Sequence, residues 1–277
     1  MTKSDDALIQ DPSGGAEQQM ARLIAIMARL RDPGTGCPWD IAQDFASIAP
    51  YTIEEAHEVA DAIARQAWDE LEGELGDLLL QVVYHTQMGS ETGQFDFSSV
   101  ARTICNKMVA RHPHVFGDES RDKTPEQQTA DWEAIKATER RARAETGVLD
   151  GVALGLPALT RALKLQKRAA RVGFDWPSTD EVLAKIVEEA GELVEARDTL
   201  GPDALAEEFG DLMFVMVNLG RHLGLDAEAA LRATNMKFTR RFGAIESALT
   251  KRGKRPEDSD LAEMDALWDA AKLAERG

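Results

Sequence analysis

The feature that most constrains this chain is an internal repeat at a distance of 134 residues. Segment 54–78 aligns with segment 188–212 without a gap, and 11 of the 25 positions are identical. Average amino-acid usage would give roughly one or two identities over this length. With small gaps the match continues along the chain, where Trp132 corresponds to Trp268. Because two copies are too few for a solenoid, the repeat indicates a pair of homologous domains.

Both copies have the apolar periodicity of α-helices. Apolar residues recur every three to four positions, as in Leu75, Leu78, Leu79 and Val82, and sustained alternation of period two is absent. We therefore predict an all-α protein, a tandem duplication of a helical-bundle domain. The predicted helices span about 17–31, 50–66, 69–90, 97–111, 125–144, 157–172, 178–199, 203–223, 226–248 and 258–275.

Turn-forming residues mark the predicted domain boundaries. The glycine-rich stretch from Gly147 to Gly155 lacks helical periodicity and is the best candidate for a linker. The predicted organisation is a loose tail, a first helical domain, a linker and a second helical domain, at 1–16, 17–146, 147–154 and 155–277.

The charge balance excludes several classes of partner. The chain carries 49 acidic against 32 basic residues, a formal net charge of −17, so electrostatic binding to a nucleic-acid polymer or an anionic membrane is disfavoured. No stretch approaches the ~20 apolar residues of a membrane span, and the first 16 residues lack the apolar run of a signal peptide. Two cysteines, Cys37 and Cys105, supply no disulfide framework and no zinc-ligand spacing. These features predict a cytoplasmic protein.

Acidic residues of the second copy share one face on each of two consecutive predicted helices. Glu188, Glu189 and Glu192 lie three to four residues apart, and Glu208 and Asp211 lie three apart. The short connection between the helices favours an antiparallel hairpin that brings the two acidic faces together. Carboxylates packed this closely repel one another, so a cation should compensate them. Oxygen ligation without histidine or cysteine suits Mg²⁺ first and Mn²⁺ second.

The acidic pattern has two other interpretations. A solvated acidic face is the first, but the same pattern recurs in the first copy, interleaved with apolar residues, at Glu55, Glu58, Glu74 and Asp77. A di-iron carboxylate bundle is the second, and it needs Glu-x-x-His on two helices. Glu54 and His57 supply that motif once, but Gly191 stands at the equivalent of His57. His57 is therefore interpreted as an incidental neighbour of the acidic residues.

The doubled pattern of Glu-Glu-x-x-Glu, fifteen residues and Glu-x-x-Asp resembles the MazG family of nucleoside triphosphate pyrophosphohydrolases in its two-domain form. Further matching segments lie at 36–40, 47–52, 111–116, 131–136 and 172–176. The resemblance implies an all-α homodimeric enzyme that binds Mg²⁺ through its glutamates and aspartate. It also implies hydrolysis of NTPs or dNTPs to nucleoside monophosphate and pyrophosphate, as part of nucleotide-pool house-cleaning.

By position, the resemblance also implies roles for individual residues. The implied metal ligands are Glu189, Glu192, Glu208 and Asp211, with Glu55, Glu58, Glu74 and Asp77 as a second possible set in the first copy. The implied contacts to the triphosphate and nucleotide are Lys185, Lys237, Arg241 and Trp268. Glu188, or the second oxygen of a ligand, is the candidate general base for the attacking water.

Each implied substrate contact has a structural alternative. Lys185 could be only an ion-pair partner of the glutamate one turn later, Lys237 and Arg241 could only neutralise acidic neighbours, and Trp268 could be core. Tyr51 replaces Lys185 in the first copy, so we predict that the second copy is the main catalytic copy. The competing function is a non-catalytic helical scaffold or regulator that retains the acidic cluster.

Overall fold

The fold is taken from a computed structural model, which describes residues 8–125, 127–128, 131–132, 135 and 147–275. Across these residues every regular element is helical and no strand occurs, which confirms the all-α prediction. The chain divides into two compact units, Met1–Ile135 and Lys136–Gly277. The tail and linker boundaries stay predictions. Most of the predicted helix 125–144 lies outside the described residues, and so do Glu133, Ala134 and Lys136 of the repeated tryptophan segment.

The helices of the first unit are α1 (Ala16–Leu30), α2 (Pro38–Ala42), α3 (Phe45–Arg65), α4 (Trp68–Glu91), α5 (Phe97–Arg111) and α6 (Pro113–Phe116). Helix α3 begins five residues before the predicted start at Pro50, because Asp44 and Ser47 form a reciprocal capping box. A second capping box, between Asp96 and Ser99, starts α5. The short helices α2 and α6 were not predicted, since single turns carry too little periodicity.

The core of the first unit lies where α1, α3 and α4 meet. Its buried side chains are those of Met27, Ile48, Val83, Tyr84 and Met88, and helices α3 and α4 pack most extensively within the unit. Burial of each large side chain contributes about 1.5–3 kcal/mol. The core therefore fixes the α3–α4 pair that carries the acidic residues of the first copy.

The helices of the second unit are α7 (Ala158–Ala170), α8 (Thr179–Glu195), α9 (Pro202–His222), α10 (Ala227–Lys251) and α11 (Leu261–Ala274). The Ser178 side chain accepts a hydrogen bond from the Glu181 amide and starts α8. A π-helical turn, Ala196–Leu200, follows α8 where the sequence predicted continuous α-helix. Gly201 has a φ of 97°, a left-handed conformation that glycine adopts without strain, and Pro202 opens α9.

Helices α8 and α9 pack against each other as the predicted hairpin. This pairing positions the acidic residues of the second copy. Within the described residues, no helix is both long enough and apolar enough to span a bilayer.

Candidate active site

Three acidic side chains of the second unit converge between α8 and α9. One carboxylate oxygen each from Glu189, Glu208 and Asp211 lies within 4.8 Å of the other two. Glu189 reaches the group from α8, and its side chain is only 7% exposed. Three neighbouring carboxylate oxygens match the ligands preferred by a hard divalent cation.

Lys185 lies directly beside these carboxylates. Its Nζ is 2.8 Å from Glu189 Oε1, 3.0 Å from Glu188 Oε1 and 3.9 Å from Glu192 Oε2. Hydrogen bonds to Glu189 and Glu188 raise the pKa of Lys185, so it stays charged. The structure therefore contains the ion pair between Lys185 and the glutamate one turn later, which was the structural alternative for this lysine. The phosphate contact of Lys185 stays a prediction.

Glu192 lies next to the cluster but is not one of the three residues whose carboxylate oxygens lie within 4.8 Å of one another. Burial first, and then the charges of Glu192, Asp211 and Glu189, raise the pKa of Glu208. The four carboxylates therefore interact electrostatically, although Glu192 is not among the three whose oxygens meet within 4.8 Å. Ligation by all four residues stays a prediction.

The first unit contains a corresponding carboxylate cluster whose third member differs. Glu55, Glu58 and Glu74 each place one oxygen within 4.8 Å of the other two, while the fourth predicted ligand, Asp77, lies outside that group. Burial, followed by the charge of Asp77 and by Glu58, raises the pKa of Glu55. At the position of Lys185 stands Tyr51, whose ring lies edge-on to Trp39 at 6.3 Å between centroids. The first cluster thus has a neutral phenol where the second has a cation.

The other predicted substrate contacts lie on α10 and α11. Arg241 Nη2 is 2.6 Å from Glu275 Oε2, and the guanidinium carbon lies 5.5 Å from the centre of the Trp268 ring. Lys237 is exposed, and within the described part of the chain no carboxylate lies within ion-pair distance of it. The phosphate and nucleotide roles of Lys237, Arg241 and Trp268 stay predictions.

Sequence reasoning missed two features of this unit. The first is Glu275, seven residues after Trp268 and hence on the same helical face, a spacing that could have indicated the shared contact with Arg241. The second is a cavity of about 520 Å³ lined in part by Gln166, Phe214 and Asn218. Its sequence signals were a polar Asn218 within the apolar run of α9 and the segment 172–176, whose Phe174, Asp175 and Trp176 line the cavity.

Comparison with known proteins gives consistent matches. The model of the MazG nucleotide pyrophosphohydrolase domain matches residues 43–116 and again 178–243, which contain the two carboxylate clusters. The nucleoside triphosphate pyrophosphohydrolase of Escherichia coli (strain K12) is 50% identical over 259 residues, covering 93% of this chain and 98% of the relative.

Two further relatives extend the comparison. The nucleoside triphosphate pyrophosphohydrolase/pyrophosphatase MazG of Thermotoga maritima is 43% identical over 250 residues, 90% of this chain and 94% of the relative. The nucleoside triphosphate pyrophosphohydrolase of Mycobacterium tuberculosis is 37% identical over 169 residues, 60% of this chain and 50% of the relative. The similarity to the first two relatives therefore includes both copies of the repeat.

Proposed function

This chain belongs to the MazG family of nucleotide pyrophosphohydrolases, and we propose that it hydrolyses NTPs or dNTPs to nucleoside monophosphate and pyrophosphate. The observation that carries the proposal is the convergence of Glu189, Glu208 and Asp211 within the second segment matched by the family. The curated relatives are named for this activity over nearly the whole chain length.

Mg²⁺ is the proposed cofactor, with Mn²⁺ as a substitute. The donor set fits a hard cation, because it consists of carboxylate oxygens and includes no histidine or cysteine. Glu189, Glu208 and Asp211 would hold the ion, with Glu192 as a fourth ligand. When bound, the ion neutralises phosphate charge and polarises the α-phosphate.

Lys185 and Glu188 would act on the substrate and the attacking water. Lys185 can exchange a carboxylate partner for a phosphate oxygen, a charge-assisted contact. The exposed Glu188 carboxylate accepts from Lys185 through one oxygen and can take the proton of the attacking water. Arg241 would exchange its ion pair with Glu275 for a contact with phosphate, and Lys237 would make a second phosphate contact. Trp268, beside Arg241, would lie near the nucleotide.

We also propose a homodimer. Equivalent apolar side chains are exposed on the acidic hairpins of both units: Ile53 and Val187, Leu75 and Phe209, and Val82 and Met216. Apolar surface repeated on both copies indicates an interface rather than scattered surface residues. Sedimentation showing a fully active monomer at assay concentration would disprove the dimer.

The proposed cellular role is nucleotide-pool house-cleaning in the cytoplasm. Both cysteines are free, as in a reducing compartment, and the net charge of −17 disfavours a nucleic-acid polymer as partner. The proposed substrates are free nucleotides.

The test is incubation of the full chain with a panel of NTPs and dNTPs plus Mg²⁺, with all products resolved. We expect monophosphate and pyrophosphate in equal amounts, and none when EDTA is present. Diphosphate plus phosphate would contradict the proposed reaction. No magnesium-dependent release of pyrophosphate from any nucleotide would favour the competing function, a non-catalytic scaffold or regulator.

A further inference from the structure

The Glu275 carboxylate, at the C-terminal end of α11, pairs with two arginines of α10. Arg241 donates to its Oε2 from Nε at 2.9 Å and from Nη2 at 2.6 Å. Arg240 donates to its Oε1 from Nε at 2.8 Å, and Arg240 Nη2 lies 2.7 Å from the same oxygen. Because arginine pairs with phosphate oxygens as it does with carboxylate oxygens, Glu275 occupies donors that a phosphate group could also use.

Arg241 is the arginine of this pair that the proposed function assigns to the substrate. Its side chain is 17% exposed, whereas that of Arg240 is 62% exposed. The Arg241 guanidinium carbon lies 5.5 Å from the centre of the Trp268 ring, and the centre of that ring lies 5.4 Å from that of Phe238. Contacts with the indole and with Glu275 therefore both restrict the Arg241 guanidinium.

Glu275 is charged at neutral pH. Hydrogen bonds from Arg241 first, and then from Arg240, lower the pKa of the Glu275 carboxyl group. By contrast, Lys237, one turn before Arg241 on α10, has no carboxylate within ion-pair distance among the described residues. A triphosphate that reaches Arg241 thus meets a cation whose charge a carboxylate already balances.

We propose that Glu275 is an internal competitor of the substrate, an inference that rests on the proposed function. Without nucleotide, its carboxylate takes the place on Arg241 that a phosphate oxygen takes in the complex. Substrate binding then requires the ion pair between Glu275 and Arg241 to break. Glu275 thereby weakens the binding of every polyphosphate that uses Arg241, and raises the nucleotide concentration at which the site fills.

A second carboxylate of α11 provides a comparison. Glu263 accepts from Arg252 Nη1 at 2.8 Å and from Lys254 Nζ at 2.7 Å, so it also pairs with two cations. The Ser259 hydroxyl donates to it as well, at 2.8 Å. Neither cation is assigned to the substrate, and Glu263 lies near the start of the helix. The two carboxylates therefore differ in whether they pair with a cation of the proposed site.

The sequence repeats the spacing of this carboxylate in the first copy. Glu275 follows Trp268 by seven residues, and Glu139 follows Trp132 by seven residues. Glu139 lies outside the described residues. The glutamate is thus a feature of the duplicated unit rather than an isolated surface charge of the second copy.

The test measures binding of inorganic tripolyphosphate, which carries the phosphates of the substrate but no base. Isothermal titration of the full chain with Mg²⁺ compares the parent with Glu275→Gln and Glu275→Ala. We expect both variants to bind threefold to tenfold more tightly, a moderate gain because partly exposed ion pairs are weak. Glu263→Gln, the matched control, should bind as the parent does. In an Arg241→Gln background, Glu275→Gln should change the affinity less than twofold, because the arginine through which it acts is gone.

Several results would overturn the inference. Weaker binding by either Glu275 variant would show that the carboxylate positions Arg241 rather than competing for it, and unchanged binding would show that the ion pair is only structural. An equal gain in Glu263→Gln, or a full gain without Arg241, would also overturn it, as would no binding of tripolyphosphate by parent and variants. If no nucleotide is hydrolysed but the Glu275 variants bind tripolyphosphate more tightly, the proposed reaction fails while the competition stands.

Discussion

The two copies of the repeat keep nearly the same carboxylates but differ in the charge beside them. In the second unit, Lys185 Nζ lies 2.8 Å from Glu189, whereas in the first unit the equivalent residue is Tyr51, in contact with Trp39. A metal ion could be held by carboxylates alone, but a triphosphate also needs cations for its own charge. The acidic clusters thus predict metal binding in both copies and triphosphate binding mainly in the second.

The copies differ again along the helix that carries Glu-x-x-Asp. In the first unit Tyr84 fills the interior, and Arg31 lies 5.5 Å from the centre of its ring. In the second unit the equivalent residue is Asn218, which lines a cavity together with Gln166. The same helical position thus holds a packed ring in the first copy and a cavity-lining amide in the second. Because only the second copy also keeps a cation beside its carboxylates, we expect the second copy to contribute most of the turnover and the first to contribute mainly to stability.

The largest effect should come from removing equivalent carboxylates in each copy. We expect Glu189→Gln/Glu208→Gln to lower kcat more than a hundredfold, because a bound metal contributes several kcal/mol to transition-state stabilisation. The matched pair Glu55→Gln/Glu74→Gln should retain most of the turnover. Pyrophosphate release at saturating nucleotide and Mg²⁺ measures both. Loss of activity in the first-copy pair with normal activity in the second-copy pair would reverse the comparison.

A smaller effect should follow from removing the cation that distinguishes the clusters. We expect Lys185→Met to lower kcat/KM about tenfold to a hundredfold, since a hydrogen bond to a charged group contributes about 1.5–3 kcal/mol. Tyr51→Phe is the control in the first copy and should leave kcat/KM unchanged. If Lys185→Met has normal steady-state kinetics, the lysine only pairs with its neighbouring glutamates.

Much of this arrangement follows from the sequence. The three-to-four-residue periodicity predicted the helices, and the repeated acidic spacing predicted that carboxylates of α8 and α9 lie together. It did not predict that Glu192 lies outside the closest group of the second copy and Asp77 outside that of the first. Local geometry decides where the helices and the acidic faces lie. Residues three or four apart on a helix share a face, and a short connection makes the next helix run antiparallel beside the first. The π-helical turn at Ala196–Leu200 and the early start of α3 depend on individual hydrogen bonds at helix ends, which periodicity does not encode.

The cavity could not be predicted in the same way. Gln166 and Asn218 are 52 residues apart in the sequence, and only the packing of α7 on α9 brings them together. Whether a polar residue on an apolar face is paired or left open depends on its neighbours, here the Phe214 carbonyl and Arg221. The contact of Glu275 with Arg241 likewise depends on how α11 packs against α10.

Melting temperatures measured with EDTA and with Mg²⁺ should report metal binding independently of turnover. In EDTA, we expect Asp211→Asn to melt at or above the temperature of the parent, because one of several repelling carboxylates is removed. Mg²⁺ should raise the melting temperature of the parent by several degrees and that of Asp211→Asn by much less, since a ligand stabilises only the state that binds it. Asp77→Asn, the first-copy control, should leave the second-unit transition unchanged. An equal response of Asp211→Asn and parent to Mg²⁺ would exclude Asp211 as a ligand.

The smallest effect should come from the hydroxyl that distinguishes the interior of the first copy. Burial, the largest influence, raises the pKa of Tyr84 to about 12, so the phenol is neutral and donates to the Asp40 carbonyl at ordinary pH. Tyr84→Phe keeps the ring and removes only this bond. The Asp40 carbonyl still accepts from Arg31, so the loss in unfolding free energy should be about 0.5–1 kcal/mol, at the low end for a hydrogen bond. Denaturant unfolding measures the loss, and nucleotide hydrolysis should be unchanged. A large fall in turnover from this one hydroxyl would show that the interior of the first copy is coupled to catalysis, contrary to the division between copies drawn above.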